Sequence, residues 1–337
     1  MSGEKTSGAL PPALRPGDAI GVCCPAGPPR DPAALYAGLG LLQEAGFRVR
    51  CDFDLPALRA VLAHMLGEAG FRVPEGGVLA GRPDAYLADE DASRARTLRR
   101  LWEDDEVRAI MAVRGGYGCL RLLPLLDADI FARHPKWLIG FSDLTLLLNH
   151  VSAVSGLVTL HGPMVSSLAR CREEDRRLLF ACLAHDFPDS LPLPDLNILR
   201  PGRADEAEGR LVGGNLATLI HALATPWDHP WDKGILFLED TGEWLYRLDR
   251  FLTQLREAGR FARLKGLLLG DFDAGKGNDK VDRELTEQVW ERVLEVTPPD
   301  LPVWAGLPFG HRRRNLPLPV GMRVRMDADR GRLVLMP

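Results

Sequence analysis

Apolar runs recur along this chain, and each breaks at a glycine, proline or polar cluster before a helix-like segment begins. "AIGVCC" (19–24) stops at "PAGPPRD", and "VRAIMAV" (107–113) leads through "RGGYG" into the helical "CLRLLPLL". "KWLIGF" (136–141) is followed by "DLTLLLNHVSAV", and "LVTLHGPM" (157–164) supplies a fourth run. Short continuous apolar strands alternating with helices predict an α/β fold built on a parallel sheet. Such sheets bind ligands at the carboxyl ends of their strands, so the loops after these runs are where chemistry is expected.

At 337 residues the chain is long enough for two domains. The polar, proline-rich stretch after residue 187 reads as the join. The expected division is an N-terminal domain over 12–187, a linker over 188–207 and a C-terminal domain over 208–337. Beyond the linker, "RLVGGNLATLIHAL" reads as strand, glycine turn and helix, and "GILFLED" (234–240) as a buried strand ending in two acids. "EWLYRLDRFLTQLREAG" places Trp244, Leu248, Phe251, Leu252 and Leu255 on one helical face. "LKGLLLGDF" is another strand, and "MRVRMDADRGRLVLMP" reads as a terminal hairpin. "EAGFRV" occurs at 44–49 and again at 68–73, as if one helix–strand unit (near 50–74) had been copied in tandem. The extra unit either joins the sheet or lies on the surface.

A net charge of −4 is no nucleic-acid footprint. No apolar run approaches the roughly 20 residues that span a bilayer. The N-terminus "MSGEKTSGALPPALRPGD" lacks a signal-peptide pattern, so a cytoplasmic protein is expected, without nucleic-acid or membrane partners. Six cysteines form no C-x-x-C pair, and Cys23 and Cys24, adjacent in an apolar run, read as packed thiols; no disulfide, metal or other cofactor is expected.

Four features could carry chemistry. Ser142, in "LIGFSDLTLLLNH", stands where a strand gives way to a helix. It is either the helix N-cap, with Asp143 favouring the first turn, or a nucleophile. Leu144 occupies the position where the usual nucleophile elbow has glycine. Glu239 ends an apolar strand, where a carboxylate must be paired to be buried. His311 sits in the glycine-framed loop "GLPFGHRRRN", the one histidine of eight placed as a cleft residue. The "RGGYG" loop is either a tight turn or a set of backbone donors for an oxyanion.

In order, "VRGGYG", "GFSD", "VGGNL", "LFLED", "YRLDR" and "GLPFGHRRRNLPLPVG" resemble the serine LD-carboxypeptidase family, whose relatives include hydrolases conferring immunity to microcin-type peptide nucleotides. The resemblance implies a flavodoxin-like, three-layer N-terminal domain with a parallel sheet, and a smaller β-rich α/β C-terminal domain. It implies a Ser–Glu–His triad at Ser142, Glu239 and His311, with the backbone N–H groups of Asp143 and Gly116 as oxyanion hole. Gly115, Tyr117 and Asn215, inside the shared motifs, are the expected substrate contacts. The implied enzyme is a cytoplasmic homodimer that removes the terminal D-alanine from murein tetrapeptides during cell-wall recycling. Two rivals are an immunity-type hydrolase of peptidyl-nucleotides, with Trp227, Trp231 or Trp244 stacking on a purine, and a non-catalytic muropeptide-binding protein. Arg312–Arg314 either attract an anionic substrate or form a solvated basic loop.

Overall fold

The computed structural model describes residues 8–52, 71–72, 86–202, 206–275 and 277–337. Two sheets organise them. The first contains β1 (Ala19–Cys23), β2 (Arg48–Asp52), β3 (Phe71–Arg72), β4 (Val107–Ala112), β5 (Trp137–Gly140) and β6 (Thr159–His161), all mutually parallel. Their order is β6-β5-β4-β1-β2-β3. Without β3 this is the flavodoxin-like order; β3 extends it by one strand at the β2 edge. That strand is the "FR" of the second "EAGFRV" copy, so the duplicated unit adds to the sheet. Most of the rest of that copy lies outside the described residues.

Helices cover both faces of this sheet. The helix Pro32–Glu44 (α1) buries Leu35, Leu39 and Leu42 on one side, and Asp91–Glu103 (α2) buries Leu98, Leu101 and Trp102 on the other. The helix Thr145–Ser155 follows β5 and also packs into the second of these cores through Leu147, Leu148 and Val151.

The second sheet runs from β9 (Glu206–Asn215) through β10 (Gly234–Thr241) and β11 (Gly266–Asp273) to β12 (Val303–Ala305), in parallel. Antiparallel strands flank this parallel centre. Residues 188–207, expected as a linker, contain β7 (Ser190–Leu191) and β8 (Asn197–Arg200), which form the two edges of this sheet. The terminal hairpin forms as β14 (Arg323–Asp327) and β15 (Arg332–Met336). The amphipathic helix Leu245–Glu257 buries Leu248, Leu252 and Leu255, but Trp244 caps it from outside and is 52% exposed. Heptad spacing alone does not reveal where a helix begins, and Trp244 falls one residue short.

Between β12 and β14 the chain returns to the first sheet. There β13 (Leu318–Val320) pairs antiparallel with β6. One apolar core accordingly contains residues from both sheets: Trp137, Ile139 and Leu160 with Ile235, Phe237, Trp304 and Val324.

Candidate active site

In the parallel strand β10, alternate side chains face opposite ways. Ile235 and Phe237 enter the core shared with the first sheet, whereas Leu236 and Leu238 enter the core beneath the C-terminal helices. Glu239 continues the first face and is fully buried. There its Oε2 accepts a 2.7 Å hydrogen bond from His311 Nδ1. Asp240 takes the opposite face. It accepts from Ala217 N at 2.8 Å and Asn215 Nδ2 at 3.0 Å, bracing the start of the helix Leu216–Ala222.

The loop carrying His311 joins β12 to β13 and so crosses from one sheet to the other. Asp271 N donates to Phe309 O at 3.0 Å and Leu307 N to Leu269 O at 3.1 Å, fastening the loop to β11. The imidazole lies edge-on to Phe141, with centroids 4.8 Å apart. Phe141 directly precedes Ser142, so this contact brings His311 to the nucleophile candidate. Arg312 pairs with Asp279 and Asp282, and Arg314 with buried Asp175 at 3.1 Å. Those two arginines of the basic run therefore brace the loop.

Ser142 does not cap the helix after it. The α-helix starts at Thr145, and Ser142 opens a short 3₁₀ turn whose cap position, Phe141, contributes no side-chain bond. Its φ is 63°, in the left-handed region where a non-glycine residue is strained. A nucleophile elbow holds its serine in a similar strained turn, here without glycine at Leu144. The room comes from Gly140 instead: a Cβ there would lie 2.7 Å from the Leu144 side chain. Gly115 is under the same kind of constraint, since a Cβ on it would meet Ser142 Oγ at 2.8 Å. The Asp143 carboxylate accepts from Cys119 N at 2.8 Å, which ties the end of the "RGGYG" loop to the serine turn.

A second tie joins the serine's helix to the glutamate's sheet. Gly213 and Gly214 lie within β9 at φ 134° and 136° rather than in the expected turn. A Cβ on Gly214 would collide with Thr145. This close approach lets Thr145 Oγ1 accept from Asn215 N at 3.0 Å, while the Asn149 amide bonds both Gly213 N and Gly213 O at 3.1 and 2.8 Å. Asn215 itself is 5% exposed, and its side-chain amide donates to Asp240 and stands beside Glu239. Tyr117 is 44% exposed and packs on Tyr86 outside the cleft.

Ser142 and His311 line one pocket of about 210 Å³, together with Arg30, Arg114, Gly115, Gly116, Ser166 and Arg170. A larger cavity of about 510 Å³ adjoins it, sharing Phe141, Ser167, Arg170 and His311. Sequence reasoning did not single out the arginines of this cleft, although Arg114 opens the "RGGYG" motif. Trp227, Trp231 and Trp244 line neither cavity; Trp231 is buried in the C-terminal core beneath Arg260. Among the described residues, no His, Cys, Asp and Glu side chains group as a metal site would require.

Electrostatics divide the labour. Burial pushes the Glu239 carboxyl up, but the charge and hydrogen bond of His311 outweigh it, with His161 and Asn215 adding, and the net direction is down. Burial pushes His311 down, yet Glu239, with Asp273 and Asp240, carries it above the ordinary histidine value. His161 stands edge-on to Phe237, the same-face neighbour of Glu239, and burial pushes it down to about 4. Asp240 is raised to about 7, by burial and then by Glu239.

The family model for the LD-carboxypeptidase N-terminal domain matches residues 20–162, and that for the C-terminal domain matches 208–326. The chain is 33% identical to a probable murein peptide carboxypeptidase of Bacillus subtilis, over 97% of its own length and 94% of that protein's. The solved structure of MccF with glutamyl sulfamoyl guanosine superposes with a TM-score of 0.76 at 25% identity, covering 98% of both chains. A muramoyltetrapeptide carboxypeptidase from Oxalobacter formigenes superposes at 0.71 and 27% identity, covering 94% of this chain and 97% of that one. With both halves matched in order and the fold shared along nearly the whole length, the chain belongs to the LD-carboxypeptidase family of peptidases.

Proposed function

We propose that the protein is a serine LD-carboxypeptidase that releases the terminal D-alanine from murein tetrapeptides through a Ser142–His311–Glu239 triad. The observation that carries this reading is the 2.7 Å bond from His311 to fully buried Glu239, at the wall of the pocket that strained Ser142 also lines.

Glu239 accepts the Nδ1–H and so leaves Nε2 as the base. His311 Nε2 takes the Ser142 proton as Oγ attacks the scissile carbonyl, and Glu239 stabilises the imidazolium. The imidazolium then gives that proton to the leaving D-alanine amine. Water, deprotonated by His311, hydrolyses the acyl-enzyme and restores Ser142. Developing negative charge on the carbonyl oxygen falls to the N–H groups of Asp143 and Gly116. Gly115 O accepts from Gly27 N at 3.3 Å. In a trans peptide this turns the N–H of Gly116 to the opposite side. Gly115 meets the same pocket without a side chain, and Asp143 contributes its backbone while its carboxylate holds the loop.

The reading includes a cytoplasmic enzyme acting as a homodimer, as the family resemblance implies. Six free thiols, all buried, suit a reducing compartment. Ser142→Ala lowers D-alanine release from a murein tetrapeptide by roughly 10⁴-fold or more while leaving the fold intact. Mass spectrometry of purified protein on murein tri-, tetra- and pentapeptides beside a peptidyl-adenylate checks it. Full activity in the variant would overturn the triad, and turnover of the adenylate alone would favour the immunity-type reading.

A further inference from the structure

The small pocket at Ser142 carries an imbalance of charge. Arg30, Arg114 and Arg170 all line it, against a single carboxylate, Asp31. Asp31 is already engaged, accepting from Ala34 N at 3.1 Å as the cap of α1. Among the described residues none of the three guanidiniums pairs with a carboxylate. Arg114 donates to Pro28 O at 3.3 Å and Arg170 to Ser166 O at 3.4 Å. Burial, and then the charge of Arg30, pull the Arg114 pKa down, so the two cations stand close enough to repel one another. The Ser166 hydroxyl lines the same pocket, is 9% exposed and has no hydrogen-bond partner among the described residues. The half-buried Arg114 guanidinium and the unsatisfied Ser166 hydroxyl cost stability unless a partner completes them, while the exposed Arg30 and Arg170 add positive charge to the same pocket.

The anion's place follows from the two cavities. Ser142 lines only the smaller one, so the scissile bond lies at its junction with the larger. At about 210 Å³ the smaller holds about seven water volumes, room for one small amino acid. The cavity of about 510 Å³ takes the longer, acyl side of the peptide. We infer that Arg30, Arg114, Arg170 and the Ser166 hydroxyl bind the α-carboxylate of the single residue that leaves, so that the enzyme reads a free C-terminus. Arginine suits this task because its fork meets both oxygens of a carboxylate at once. The inference deepens the carboxypeptidase reading and rests on it: it explains why one residue is removed rather than an internal bond cut.

The test compares a murein tetrapeptide with its C-terminal amide, which keeps the scissile bond and loses only the terminal charge. For the wild-type protein, amidation lowers kcat/KM at least roughly tenfold. Arg170→Ala and Arg30→Ala each lower kcat/KM on the free acid by a similar factor but leave the amide nearly unchanged, and Arg170→Lys falls between. A merely structural role would depress both substrates alike. Calorimetric binding of the same two peptides to the Ser142→Ala variant gives the same comparison without turnover. Tighter binding of the acid supports the clamp even if the wild-type protein cleaves neither peptide, which would overturn only the proposed reaction. Equal cleavage and equal binding of acid and amide overturn the clamp while leaving the carboxypeptidase intact.

Discussion

Glu239 has no solvent to stabilise its charge, and among the described residues its Oε2 is bonded by His311. The two groups therefore hold each other ionised, and the imidazole stays protonated to higher pH than a free histidine would. The base must be neutral to accept the Ser142 proton. Activity is thus lost as pH falls through the raised His311 pKa, and the acid limb of kcat/KM lies above the ordinary value of 6.5. Glu239→Gln removes the carboxylate charge while keeping a similar shape. The limb then moves to lower pH, and turnover falls by roughly 10⁴-fold, as expected when the imidazole loses its orienting acid. A pH–rate profile of D-alanine release checks both, and an unmoved limb would mean that another group sets it. Asp240, Asp271, Asp273 and His161 also stand near this pair, and Asp240 and Asp271, each raised to about 7, contribute to the remaining limb beside the bare imidazole. The three residues proposed as the triad each stood out in the sequence as a candidate, a serine at a strand end, an acid closing an apolar run and a histidine in a glycine-framed loop, but it was the resemblance of the whole motif set that joined them. The role of the Asp143 carboxylate was not legible. Its partner is the backbone N–H of Cys119, and a backbone group leaves no mark in a sequence.

At the scale of elements, the site depends on a helix and a strand from different sheets being held in register. The Asn149 amide is the clearest such link, because it satisfies both the N–H and the C=O of Gly213. Truncation leaves those groups unpaired at the seam, at a cost of roughly 1–3 kcal/mol. It also frees the helix that begins just after Ser142 to shift against β10. Asn149→Ala accordingly lowers the unfolding free energy by about that amount and lowers kcat more than it raises KM. Denaturant titration and steady-state kinetics on the same preparation measure the two effects. A loss of stability with unchanged kcat would mean the link supports the fold alone. Strands β1, β4, β5, β10 and β11 were readable from largely apolar runs, since burial on both faces dictates most of their composition. The "VGG" of β9 was read as a turn because glycine pairs usually mark one. Here the demand for glycine comes from Thr145, on another element, which no local pattern contains. The same holds for residues 188–207: their proline and charge suit a linker, and equally suit the short edge strands β7 and β8.

For the whole molecule, the chain visits the first sheet, then the second, and then returns to the first with β13 before closing in the hairpin of the second. His311 lies on the returning segment, so the act that completes the first sheet also carries its imidazole to the Ser142 turn. Such pairing between distant segments is invisible to periodicity, which reports what an element buries but not against which partner. The two sheets also share a core, in which Trp137 of β5 and Phe237 of β10 belong to one cluster. Two family models divide the chain, yet neither half is complete without the other: the first lacks an edge strand, and each exposes part of the common core. The protein should therefore unfold in a single cooperative transition, with calorimetric and van't Hoff enthalpies in agreement. Leu318 of β13 is fully buried, so Leu318→Ala costs about 2–5 kcal/mol. Because the strand belongs to the first sheet but is encoded within the second half, the whole transition moves to lower temperature as one. Scanning calorimetry of the variant beside the parent decides the matter. Two resolved transitions, with only one displaced by the substitution, would show that the halves fold independently and meet only at the cleft.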